Sequence, residues 1–76
     1  MTYDIYEEGY AATGEARGAI YLGKGEGETF LDACKDYIKK TGYGEIKTNP
    51  VTKEEYASNW ACKWYPTMEE AQKWFG

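Results

Sequence analysis

The sequence predicts a small α+β domain in the order β-β-α-β-α, and three observations carry that prediction. The last third, SNWACKWYPTMEEAQKWFG, reads as a strand, a turn and a capped helix; GEGETFLDACKDYIKKTG reads as a second helix with both ends marked; and the opening TYDIYEEGY alternates β-favouring and polar residues. A hairpin followed by a helix and a third strand implies a three-stranded antiparallel sheet of order 2-1-3, reached through a right-handed crossover, with both helices on one face.

Residues 2 to 10 form the expected first strand and 18 to 25 the second. They are joined by a loop around Gly14 that is longer than a two-residue turn. Ile5, Ile20 and Leu22 would face the core, which leaves Tyr6, Tyr10 and Tyr21 on the opposite side. Glu7 falls in phase with Ile5, so either the strand leaves the core there or Gly9 marks a bulge.

In the first helix Thr29 serves as N-cap and Asp32 sits in the first turn. Lys39 and Lys40 lie near the end, and Gly42 is the stop. Phe30, Cys34, Tyr37 and Ile38 form one apolar stripe, expected to be core. Residues 43 to 57 lose periodicity and carry the turn pair Asn49-Pro50, so they read as a long connection in which Thr52 and Glu55 cap at most one helical turn. In the third strand Trp60, Cys62 and Trp64 share the inner face. Pro66 ends it, and Thr67 with Glu70 forms a capping box for a helix whose inner stripe is Met68, Ala71 and Phe75, with Trp74 beside it.

Seventy-six residues make a single domain near the lower limit for a self-sufficient core, and eight Tyr, three Trp and two Phe must supply much of the burial. No run of about 18 apolar residues suggests a membrane span, and no basic and apolar leader opens the chain, so a cytoplasmic location is expected. Cys34 and Cys62 are expected as reduced core residues. The chain has no His and only two Cys. The usual tetrahedral zinc set and triads with a His base are therefore excluded, and neither a cofactor nor an enzymatic activity is expected.

The net charge of −4 is unevenly placed. Residues 1 to 28 hold Asp4, Glu7, Glu8, Glu15, Glu26 and Glu28 against Arg17 and Lys24, whereas seven acids and seven lysines balance in the remainder. An acidic hairpin repels nucleic acid and attracts a protein partner with a basic surface. The glycines of GKGEGET lie before a helix, but the spacing is not that of a P-loop and the glutamates oppose phosphate.

If the helices cover one face, the other carries Tyr6, Glu8, Tyr10, Tyr21, Lys63 and Tyr65, an amphipathic platform suited to stacking on a partner. These six are the candidate binding residues. The acidic surround disfavours polymeric nucleic acid. A small nucleotide sequestered by an oligomer, with Arg17, Lys24 or Lys63 as counter-charge, is the alternative; a self-associating module that uses the tyrosine face as a homo-oligomer interface is another.

The segments YDIYEEGYAATGEARGAIYLGKGEGETFLDAC and NWACKWYPTMEEAQKWFG together resemble a group of short proteins of Gram-positive bacteria and their phages and mobile elements. The shared pattern is an Asp-Ile-Tyr strand, Gly-Tyr-x-Ala-Thr-Gly, a helix with Ala-Cys, then Trp-x-Cys and a closing Glu-Glu-Ala helix ending Phe-Gly. The resemblance spans nearly the whole chain apart from residues 43 to 57. It implies a context, that of a small accessory protein acting by binding and blocking a host or phage defence component, and it assigns no site residues.

Overall fold

The computed structural model describes residues 1–12 and 15–73, and of residues 10–12 and 15–17 the backbone alone. Nine elements follow in order: β1 (Thr2–Glu7), β2 (Tyr10–Ala12), β3 (Glu15–Arg17), β4 (Ile20–Glu26), α1 (Phe30–Thr41), β5 (Glu45–Thr48), β6 (Glu55–Asn59), β7 (Cys62–Tyr65) and α2 (Met68–Ala71). The fold is α+β. Its main sheet is antiparallel with order β4-β1-β7-β6-β5, and β2 and β3 form a separate two-stranded ribbon in the loop of the first hairpin.

The sheet has five strands where the sequence predicts three. Both additional strands come from residues 43 to 59, and each hides its period. In β5 only Ile46 is apolar, because the strand lies at the sheet edge. In β6 the two fully enclosed residues are Ala57 and Ser58, which are small and adjacent, so burial leaves no alternation of large side chains to read. The turn between these strands is built by Asn49, whose side-chain oxygen accepts the Val51 and Thr52 amides at 2.8 and 3.2 Å. Glu55 opens β6, so the helical turn expected at Thr52 does not form.

Two further expectations change. Trp60, expected in the core, is 89% exposed. It and Ala61 are the two turn residues between β6 and β7, with φ of 54° and 65°, the mirror-image geometry that matches strand twist in a two-residue hairpin. Ile20 is 37% exposed at the start of the edge strand β4, where only Leu22 of the expected pair reaches the core. The final helix is confined to Met68–Ala71, capped by the Thr67 hydroxyl accepting the Glu70 amide at 3.2 Å; the positions expected for Trp74 and Phe75 lie outside the described residues.

Helix α1 has the predicted ends. Thr29 Oγ1 accepts the Asp32 amide at 3.1 Å, and Gly42, left-handed at φ 74°, donates its amide to Ile38 at 2.7 Å. The helix lies so close to β4 that a Cβ at Gly25 would collide with the Ala33 carbonyl. The glycines of GKGEGET therefore admit a helix rather than a phosphate. Ile5, Cys34, Ala57 and Trp64 form the core, with Leu22, Phe30, Tyr37, Ile38 and Ile46 packed against them. Cys34 and Cys62 are both buried.

The two halves of the sheet meet along a short seam. β1 and β4 share six register pairs, with a bulge where Leu22 is the extra residue, whereas β1 and β7 share only Tyr6↔Tyr65 and Glu7↔Trp64. One further backbone bond, from the Glu8 amide to the Lys63 carbonyl at 2.9 Å, extends the seam.

Candidate functional site

Antiparallel register partners share a face of the sheet, and this places the predicted tyrosines together. Tyr6 is opposite Tyr21 on one side and Tyr65 on the other, so one ring from each of β4, β1 and β7 forms a row across the sheet. The Tyr6 and Tyr21 rings are 5.0 Å apart and inclined at 52°, within the range of a favourable aromatic pair. Tyr21 is exposed; Tyr6 and Tyr65 are half-buried.

Polar groups frame the row at both ends. At one end the Tyr65 hydroxyl donates to Glu8 Oε1 at 3.1 Å and the Lys63 amide donates to Glu8 Oε2 at 3.0 Å. The Lys63 ammonium lies 5.5 Å from the Tyr65 ring centre and 5.6 Å from that of Tyr56, close enough for cation–π attraction to both. At the other end Asp4 Oδ1 accepts from the Tyr21 hydroxyl at 3.0 Å and from Lys24 Nζ at 2.7 Å. Those bonds, with Lys24 foremost, hold the Asp4 carboxyl below its ordinary value. Asp4 in turn raises Lys24, and partial burial together with Asp4 raises the Tyr21 phenol.

Five of the six candidate residues, Tyr6, Glu8, Tyr21, Lys63 and Tyr65, are thus contiguous. The Tyr10 and Arg17 side chains lie outside the described residues. Tyr56 is not among the six, because the sequence reads as a connection where β6 forms. Its position two residues before Ser58, the register partner of Lys63, is what places it on this face.

The acidic hairpin is less uniformly exposed than its composition suggests. Glu7 is 2% exposed and points into the opposite side of the sheet, where it accepts from the Trp64 indole at 3.1 Å and from the Tyr43 hydroxyl at 3.2 Å. The Tyr43 ring stacks on Trp64 with 9° between planes. Strand β1 therefore stays in phase to its end, and the misfit at Glu7 is resolved by polar partners. Glu26 and Glu28, at the junction with α1, remain at the surface.

Beyond the Tyr21–Tyr6–Tyr65 row, a cleft of about 420 Å³ lies beside the Trp60 turn, between Gly42 and Gly44 after α1 and Glu45 and Lys47 on β5. Among the described residues, no helix is long and apolar enough to cross a membrane. No family model matches the chain, and no curated protein or solved structure matches it either.

Proposed function

We propose that the chain is a small non-enzymatic binding protein that occludes a protein partner with a basic surface, and that its setting is inhibition of a host defence component by a phage or mobile element. The observation that supports this reading is the row Tyr21–Tyr6–Tyr65, extended by Lys63 and Tyr56 and flanked by Asp4 and Glu8. Rings of this kind bury large area at small entropic cost, and carboxylates beside them favour a partner bearing Arg or Lys. Glu26 and Glu28 add attraction at longer range.

The test uses the tagged chain as bait in a host lysate, followed by titration of whatever protein it retains. Tyr21→Ala and Tyr6→Ala should each weaken that complex by tenfold or more, about 1.4 kcal/mol or above, with unchanged circular dichroism, and added salt should weaken it further. Full binding by both variants removes the tyrosine face from the reading. Native mass spectrometry decides against occlusion if the gently purified chain carries a small molecule that leaves on denaturation, the signature of nucleotide sequestration.

A further inference from the structure

We infer that the edge strand β5 is a self-pairing surface, through which two copies of the chain join antiparallel across Ile46 into one continuous sheet. The backbone parity comes first. The Asn49 amide donates to the Glu54 carbonyl at 2.9 Å, closing the β5–β6 hairpin. Because hydrogen-bonded and non-hydrogen-bonded pairs alternate along an antiparallel ladder, Lys47 and Glu45 direct their backbone groups at β6, while Ile46 and Thr48 direct theirs out of the sheet. The neighbouring hairpin agrees. Its two-residue turn is closed by Asn59 and Cys62, which makes Ser58↔Lys63 a non-hydrogen-bonded pair and leaves Ser58 to bond with Glu45.

A two-fold axis at Ile46 then lets the outward amide and carbonyl of Ile46 exchange bonds with those of the same residue in a second copy. Thr48 falls opposite Gly44, where no side chain intrudes. In that register Glu45 faces Lys47 of the second copy, and Lys47 faces Glu45. Both fall at non-hydrogen-bonded positions, where side chains on neighbouring strands approach most closely. Both side chains are about half exposed, and within one copy they already attract each other at 3.3 Å.

A lysine on an edge strand ordinarily discourages pairing. Here the glutamate two residues away supplies its complement, so the edge is self-complementary in this antiparallel register. The same register sets the Thr48–Val51 turn of the second copy beside Gly42 and Gly44, at the cleft overhung by Trp60. It thereby brings together two of the most exposed large apolar side chains, Val51 at 85% and Trp60 at 89%. The contact leaves the tyrosine row free, so it does not depend on the proposed partner. A four-residue ladder buries little area, and the dimer is accordingly weak and concentration-dependent.

Sedimentation equilibrium of the full chain from micromolar to millimolar concentration tests this, with Glu45→Lys, Lys47→Glu and the double exchange. The single variants place like charges opposite each other and should shift the dimer constant tenfold or more towards monomer. The double exchange restores opposite charges and should recover it. Circular dichroism checks that the exposed substitutions leave the fold intact. A wild-type chain that stays monomeric through the millimolar range overturns the inference. So does a dimer that both single variants leave unchanged, which would assign self-association to another surface.

Discussion

The indole of Trp64 donates its N–H to Glu7 across the β1–β7 seam, at 3.1 Å and almost wholly out of solvent. A carboxylate in phase with the core is expensive unless its oxygens are satisfied, and here the Tyr43 hydroxyl shares the task. Glu7→Leu removes the acceptor while retaining bulk, leaving the buried Trp64 indole N–H unsatisfied. It should destabilise the fold by about 1–3 kcal/mol, read as a lower urea midpoint, whereas Glu7→Gln, which keeps one acceptor oxygen, should lose less. Equal losses for the two variants would show that side-chain volume, not hydrogen bonding, sets the requirement.

Gly44 is needed twice over. Its φ is 101°, and a Cβ there would collide with the Trp64 ring. Gly42 has a left-handed φ of 74° but open space around it. Gly42→Ala should therefore cost about 1 kcal/mol, the price of backbone geometry alone, and Gly44→Ala about 2–4 kcal/mol because overpacking is added. Thermal unfolding of the two variants side by side measures the difference, and a smaller loss at position 44 would contradict the packing argument.

The Trp60-Ala61 turn holds two residues with side chains in a region that asparagine and glycine prefer. Replacing the pair by Asn-Gly should raise stability by about 1 kcal/mol, seen as a higher thermal midpoint. A fall would mean that the exposed indole contributes more to the folded state than its 89% exposure implies.

The pH profile of stability should fall at both ends for different reasons. Asp36 is held below its ordinary value by Lys40 and the Glu26 amide, as Asp4 is by Lys24 and Tyr21. Carboxyls lowered in the folded state contribute fully above the ordinary carboxylate range, and that contribution is lost as pH falls through the lowered values. Burial pushes the Cys34 thiol from 9.0 up to about 12. Between those values the unfolded chain ionises and the folded chain does not, so stability declines as pH rises. Lys24, Lys40 and Tyr21, also raised, act in the same direction. Chemical denaturation of Cys34→Ala across pH should show a flatter alkaline limb than wild type; identical limbs would remove Cys34 from the explanation.

Local chemistry made α1 legible in sequence, because Thr29, Asp32 and Gly42 act through bonds to near neighbours. The tyrosine row was legible for a related reason: alternation along β1, β4 and β7 fixes which side each ring takes. What escaped depended on contacts distant in sequence. Ser58 is enclosed although serine usually signals surface, Trp60 is expelled although tryptophan usually signals core, and β5 is a strand because β6 offers it a ladder. Tyr56 was lost with them, since its face could not be assigned until its strand existed. Glu7 is a visible misfit in the alternation of β1, but its partners Tyr43 and Trp64 come from distant parts of the chain.

The seam between β1 and β7 should also set the order in which the domain closes. Each half is assembled from contacts near in sequence, the β5–β6–β7 meander above all, and such hairpins close in about 1–10 μs. Joining the halves brings opposite ends of the chain together for two register pairs, a closure whose entropy must be met before Trp64 is enclosed. The seam should therefore be the last closure to form and the first cooperative unit to part. Its opening would uncover Cys62 beside Trp64 while the β5–β6 ladder stays shut. Thiol labelling under native conditions would then report that partial opening at a lower free energy than global unfolding, whereas amides bonded between β5 and β6 would wait for the whole domain to melt.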